Sequence, residues 1–394
     1  MKTNVQAPSL RGNLRVQLDC LHASHHYRRR RVLDSPQGSR IQLNGKSLLN
    51  FCSNDYLGLA NDPRVVAAFK RGCDKYGVGS GASHLVCGHS TAHEDLEIAL
   101  AEFTGRERAL LFANGYSANM AVIRALVNSG DCVFQDRLNH ASLLDGGWIS
   151  RAEVSWFEHR HYTQLQQGLE QTSAQQKLIV SDGVFSMDGD CCDVAALVNL
   201  AKSYQAWLMI DDAHGFGVLG DKGQGLVGPD IFSQDDVPIL VGTLGKAFGT
   251  SGAFVAGSEE LIEWLIQKAR NYIFSTSMPS AIAVASVESL NIVQTESWRR
   301  QHLQTLIAQF IEGAQRLGLP LLPSLTPIQP VLLHDSATCL KVSQQLEQVG
   351  VFASAIRPPT VPDNSARIRI TFSAVHSFAD VNILLNAFAK IIHG

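Results

Sequence analysis

"WLMIDDAHGFGVLG", residues 207–220, starts as an apolar run and changes character at Asp211. Trp207–Asp211 reads as a short buried strand; Asp212, His214 and three glycines follow it. A carboxylate just past a strand is often only a helix cap. An Asp-Asp-x-His turn followed by glycines also sets an anion and an imidazole toward one crevice, where the working residues of an open parallel sheet gather.

The pattern repeats on both sides. "RALLFA" (108–113), "DCVFQD" (131–136), "KLIVSDGVF" (177–185), "PILVGTLG" (238–245) and "GAFVAG" (252–257) read as further buried strands. Segments such as "GYSANMAVIRALVNSG" and "DVAALVNLAKSYQ" read as helices between them. Alternation over this length predicts an α/β fold with a largely parallel sheet covered on both faces. "TAHEDLEIALAEF" predicts a helix with Thr91 as N-cap and Glu94 completing a capping box, burying Leu96, Ala99, Leu100 and Phe103. Residues 1–50 read as an arm with a helix at about 8–24 and a hairpin turning at Asn44–Gly45. Past about 285, long amphipathic helices surround "PVLLHD" and "ARIRITFSA", a smaller α+β unit. The expected domains are therefore 1–50, 51–285 and 286–394.

Composition narrows the function. A net charge of −3 argues against nucleic-acid binding, the run Arg28–Arg31 being the one basic exception. No stretch reaches membrane-span length, and "MKTNVQAPSLRGNLRV" lacks the apolar core of a signal peptide. The eight cysteines include no CxxC pair, and no Cys/His spacing points to a metal, so a cytoplasmic protein with reduced thiols is expected.

"GTLGKAFGTSGAFVAG" (242–257) sets one cation, Lys246, among small residues. It is not a nucleotide P-loop, because Leu240 and Ala247 stand where that motif needs Gly and Ser or Thr. "GFGVLG" imitates a dinucleotide fingerprint without the helix that should follow it. "QDRLNHASLLDG" supplies His140 at another strand end, and "SDGVFSMDGD" supplies Ser186. In "LLFANGYSANMAV", Gly115 turns the chain and a helix begins near Tyr116, either a plain turn or a phosphate seat. Singly, each feature has an ordinary structural explanation. Together they supply an amine for a Schiff base, a carboxylate for a pyridine nitrogen, an imidazole to stack on a ring and a helix start for a phosphate. Those are the requirements of pyridoxal 5′-phosphate.

The chain resembles the α-oxoamine synthase group of fold-type-I (aspartate-aminotransferase-like) pyridoxal-phosphate enzymes. The resemblance is carried, in order, by "NFCSNDYLGLA", "GSGASHLVCGHSTAHEDLE", "DRLNHASLLDG", "GVFSMDGD", "IDDAHGFGVLG", "GTLGKAFG", "FSTSMP" and "AIRPPTVP". The tail "AIRPPTVPDNSARIRITFSAVH" looks most like the alanine-using branch, the 8-amino-7-oxononanoate synthases of biotin synthesis. Ala247 and Tyr116 are mild departures, standing where glycine and phenylalanine are common. The resemblance implies that Lys246 bonds the cofactor aldehyde and then acts as base. Asp211 would hold the ring nitrogen, His140 would stack on the ring, and His214 and Ser186 would lie near the ring hydroxyl. Gly115, Tyr116 and Thr243 would sit at the phosphate, joined by Ser275 or Thr276 of a second subunit in a homodimer. Arg357 would take the amino-acid carboxylate, with Asn54, Thr360 and Arg28 also facing substrate. The implied reaction joins L-alanine to a pimeloyl thioester, of coenzyme A or acyl carrier protein, with loss of carbon dioxide. Sister enzymes use glycine or serine with other acyl thioesters, and some members of the group are lysine-less scaffold subunits.

Overall fold

Strand identity follows burial. In the computed structural model, which describes residues 10–393, every expected apolar run is a strand of one seven-stranded sheet. Numbering the strands in chain order, the N-terminal hairpin is β1 (Arg40–Leu43) and β2 (Lys46–Asn50). The large sheet comprises β3 (Arg108–Phe112), β4 (Cys132–Asp136), β5 (Glu153–Phe157), β6 (Lys177–Asp182), β7 (Trp207–Asp211), β8 (Ile239–Thr243) and β9 (Ala253–Gly257). Its order is β3-β9-β8-β7-β6-β4-β5.

β5 through β8 pair in parallel, and β9 alone runs antiparallel, to both β8 and β3. The reason is the linker. Residues 244–252 are too few for a helical crossover, which takes a dozen or more, so β9 must fold back on β8 as a hairpin. β5, "EVSWF", escaped the sequence reading because it is an edge strand, exposed at Glu153 and fully buried only at Phe157. Apolar layers cover both faces: one holds Val122, Leu143, Val180 and Met209, the other Phe134, Leu197, Ile210 and Leu240.

The hairpin β1–β2 turns at Asn44 (φ 51°) and Gly45 (φ 74°), the left-handed pair that Asn-Gly tolerates. The expected helix of the arm is seen as Leu10–Ala23; residues 8 and 9 of that expectation lie outside the described residues. In the C-terminal part, β10 (Ile328–His334), β12 (Ser354–Ile356) and β13 (Ala366–Thr371) form an antiparallel sheet in the order β10-β13-β12. β11 (Val351–Phe352) leaves that unit and pairs in parallel with β2, so the arm and the C-terminal part share a sheet. One helix, Ser280–Thr295, runs straight through the boundary expected at 285.

One cap differs from expectation. The helix Thr91–Thr104 is capped by Ser90, whose amide donates to Nδ1 of His93 at 3.0 Å; Glu94 instead meets His89 at 3.1 Å. The capping box is therefore Ser90–His93. The buried face is as expected, with Leu96, Leu100 and Phe103 in the core and Ala99 packed against it. None of the eight cysteines is paired. Among the described residues, no helix is long and apolar enough to cross a membrane.

Candidate active site

Parallel strands end at the same edge, so β6, β7 and β8 deliver their last residues together, with β3 and β4 flanking. Lys246 lies in the turn between β8 and β9. Thr243 braces that turn: its hydroxyl donates to the Gly252 carbonyl at 3.0 Å and accepts from the Gly245 amide at 3.3 Å. The Gly249 amide closes it on the Lys246 carbonyl at 2.9 Å. Gly249 has φ +66°, and a Cβ there would lie 2.2 Å from the Ala60 amide nitrogen, so only glycine fits.

The Lys246 amine faces Nε2 of His214 at 2.9 Å. Burial pulls the amine down to about 8, against the opposing pull of Asp211 and Asp182. His214 is buried and held uncharged, by desolvation first and then by Lys246 and Arg369. Its Nδ1 lies 2.7 Å from the Tyr56 hydroxyl, which donates onward to Oδ1 of Asn54 at 3.2 Å. Arg369 ends the chain, its two terminal nitrogens donating to the same Asn54 oxygen at 3.2 Å and its Nε to the Ser186 carbonyl at 2.6 Å.

On the other side of Lys246 stand two aspartates. β6 and β7 pair Asp182 directly with Asp211. Asp211 accepts from Nδ2 of Asn119 at 2.6 Å and from the Ala213 amide at 3.0 Å. Asp182 accepts from the His140 amide at 2.6 Å. Burial, and next Asp211, hold the Asp182 carboxyl well above the usual range. His140 caps the helix Ala141–Ser150, its Nδ1 lying 2.7 Å from the Ser142 hydroxyl, and burial lowers its proton affinity despite Asp211. Oδ1 of Asn119 is buried without a partner.

The helix expected to begin near Tyr116 begins at Gly115, and Gly115 does not make the turn. Asn114 caps it, accepting from Ser117 at 2.9 Å through its side chain and from Ala118 at 3.1 Å through its carbonyl. The amides of Gly115 and Tyr116 are left pointing out of the helix end, suited to an anion. A Cβ at Gly115 would meet nothing within 4 Å, so the space before that end is open. The Tyr116 hydroxyl donates to Asp145.

These groups fit pyridoxal 5′-phosphate. An amine with lowered proton affinity, two buried carboxylates, a buried neutral imidazole and an open helix start converge at one edge, and the carboxylates leave negative charge for a cationic ring to meet. The remaining expected residues form a rim. Arg28 of the arm donates to the Thr360 hydroxyl at 2.9 Å, and both line a cavity of about 500 Å³ with Arg137, His140, Ser186 and Val361. Arg357 donates to the His25 carbonyl, placing it beside the arm rather than in the Lys246 network. Ser275 and Thr276 are exposed, just past the short helix Arg270–Ile273.

The sequence reading passed over Asp182, Tyr56, Asn119 and Arg369. Asp182 carries the same strand-end mark that singled out Asp211. Arg367 and Arg369 alternate along a strand buried at all six positions, itself a sign that both guanidiniums have work inside. Tyr56 and Asn119 carry no such mark.

Fold and site together define a class, and the family model for aminotransferase class I and II matches residues 46–388. Over 378 residues the chain is 58% identical to the 8-amino-7-oxononanoate synthase of Pseudomonas savastanoi pv. phaseolicola, covering 96% of this chain and 95% of that one. Among solved structures it is similar to the serine palmitoyltransferase of S. paucimobilis with PLP and myriocin bound (TM-score 0.91, 28% identity, 96% of each chain). It is also similar to 8-amino-7-oxononanoate synthase from Francisella tularensis (TM-score 0.77, 30% identity, 88% of this chain and 98% of that one). The chain belongs to the 8-amino-7-oxononanoate synthase family within that class.

Proposed function

We propose that this chain joins L-alanine to a pimeloyl thioester, releasing carbon dioxide and the free thiol carrier and giving 8-amino-7-oxononanoate for biotin synthesis. The observation that carries the reading is the Lys246 amine, pulled down to about 8 between two in-register aspartates and a neutral imidazole. A sister reaction on glycine or serine is disfavoured by the 58% identity to an alanine-branch relative against 28% to a serine palmitoyltransferase.

Pyridoxal 5′-phosphate, when bound, supplies an aldehyde that condenses with amines and a ring that draws electrons from the adjacent carbon. The residues that would hold it are Lys246, Asp211, His140, His214, Ser186, Thr243 and the amides of Gly115 and Tyr116. Lys246 then takes the proton from the alanine Cα, a task for which an affinity near the working pH is suited. His214 accepts from that amine and aims it, being itself fixed by Tyr56. The new bond joins the alanine Cα to the thioester carbonyl carbon while the carbon–sulfur bond breaks. The carboxylate departs as carbon dioxide, and a proton returns to the same carbon.

For the amino-acid carboxylate we favour Arg369 over Arg357, because Arg369 hydrogen-bonds Asn54 and reaches the Lys246–His214–Tyr56 chain. The cavity between Arg28, Arg137 and Val361 is the place for the acyl arm, with an arginine available to its far carboxylate. A homodimer is supported by exposed apolar residues near the site: Leu85, Val86, Tyr116 and Phe274. They accompany the exposed Ser275 and Thr276, which would serve the neighbouring subunit. Carrier choice between coenzyme A and acyl carrier protein, a cytoplasmic location and the three-part domain division belong to the same proposal. The large domain ends after the helix Ser280–Thr295 rather than at 285.

The test is product identification after mixing protein, pyridoxal phosphate, L-alanine and pimeloyl thioester. Formation of 8-amino-7-oxononanoate dependent on Lys246 is expected. No product, or equal turnover of glycine and serine, would overturn the reading.

A further inference from the structure

His84, His89 and His93 form a cluster that the reaction above does not use. They lie on the turn His84–Gly88 and on the start of the helix Thr91–Thr104, and each offers a ring nitrogen within 4.8 Å of the others'. Nδ1 of His84 and Nδ1 of His89 are 2.8 Å apart. The ring centres are 5.1 Å apart for His84–His89, 5.1 Å for His84–His93 and 5.5 Å for His89–His93. Three imidazoles bound tetrahedrally through bonds of about 2.0–2.1 Å would hold their ring centres roughly 5 Å apart. The spacing is already that of a shared ion.

Proton placement points the same way. Nε2 of His89 faces the Glu94 carboxylate at 3.1 Å and must carry a proton there, which leaves a lone pair on Nδ1. Nε2 of His93 donates to the Met278 carbonyl at 2.8 Å, which leaves its lone pair on Nδ1 as well. A histidine whose second nitrogen donates to a carboxylate or carbonyl is the usual form of a metal ligand, fixed in tautomer and orientation. His84 shifts its proton from Nδ1 to Nε2 to join them, with no net proton released. The bond lost is the Ser90 amide on His93 at 3.0 Å. His89 keeps about a quarter of its side chain exposed, so the cluster opens to solvent.

We propose that His84, His89 and His93 form a binding site for one divalent transition-metal ion of the zinc type, with Glu94 and the Met278 carbonyl as its supporting shell. Imidazole donors without a carboxylate cage favour zinc, cobalt, nickel or copper over magnesium or calcium. Occupancy ties the turn His84–Gly88 to the segment around Met278, whose neighbours Ser277 and Gly88 are already bonded at 2.6 Å.

The test is cobalt titration of chelator-treated holoenzyme, followed by the visible ligand-field bands of a low-coordinate ion, with displacement by zinc. One equivalent per chain is expected, lost in His84→Ala and in His89→Ala and retained in His302→Ala. Glu94→Gln, at a largely exposed position, should weaken binding about ten- to a hundredfold, the usual cost of removing a supporting carboxylate. Binding by wild type no tighter than by the double variant His84→Ala/His89→Ala would overturn the proposal. So would unchanged affinity in Glu94→Gln together with His89→Ala. The readout does not depend on turnover and is separate from the reaction proposed above.

Discussion

Replacing Arg369 separates the two arginines that could receive the amino-acid carboxylate. Its guanidinium is 7% exposed and fixed by three donors: Nε on the Ser186 carbonyl at 2.6 Å and two nitrogens on Asn54 at 3.2 Å. Those Asn54 contacts are long, so the two terminal nitrogens are free to tighten on an incoming carboxylate as a parallel pair. Hydrogen bonds to charged groups contribute about 1.5–3 kcal/mol each, so losing the pair costs about 3–6 kcal/mol, or roughly 10²–10⁴ in kcat/KM. Arg369→Ala should show that loss, much of it as raised KM for L-alanine. Arg369→Lys should recover part, keeping the charge without the planar fork. Arg357→Ala, at a residue bonded to His25, should stay within about tenfold. The assay is initial-rate kinetics against L-alanine at saturating thioester, with thermal melts to confirm folding. If folded Arg369→Ala loses less than tenfold, or Arg357→Ala loses as much, the assignment is wrong.

Other consequences can be checked separately. The rate at which apoprotein takes up pyridoxal phosphate should rise with pH through about 8 and level off above it, because only the neutral Lys246 amine condenses; stopped-flow absorbance giving a flat profile would contradict this. His159 sits between Asp136 (3.1 Å) and Asp190 (2.9 Å), and although burial opposes it, these bonds raise it to about 9. Because that folded value lies above the unfolded one of about 6.5, the stabilisation is full below 6.5 and disappears as pH rises to about 9; it is on the order of 3 kcal/mol. His159→Gln should therefore lower Tm most near pH 6 and least above pH 9.5. Gly249→Ala forces a Cβ into the Ala60 backbone and should destabilise by about 2–4 kcal/mol with loss of cofactor affinity, seen by calorimetry and absorbance titration.

Much of this was legible in the residues, for physical reasons. Central strands announce themselves because burial on both faces makes them continuously apolar, and Asp211 stood out because it interrupts such a run. Edge strand β5 did not, since half of it faces water. The N-cap was misplaced by one residue because Ser90 and Thr91 offer the same hydroxyl, and only the fold shows that His93 fills the place where a Glu or Gln is usual. Arg369 and Tyr56 could not be found locally: they are far apart in sequence, and β13 must pack against the chain after β2 before they meet. The convergence of His84, His89 and His93 depends likewise on the unusual turn His84–Gly88, which no spacing rule describes.

The antiparallel return of β9 bears on how this scaffold can vary. Other edge groups sit on connections that can lengthen outward, leaving strand pairing untouched. The nine residues around Lys246 join two strands already locked rung by rung, Thr243 to Ala253 and Gly242 to Phe254. One inserted residue there would either bulge against Ala60 or slip β9, turning its inward side chains outward and unseating β3 beyond it. Descendants of this fold are therefore free to experiment with what surrounds the lysine, but the length of its tether is fixed.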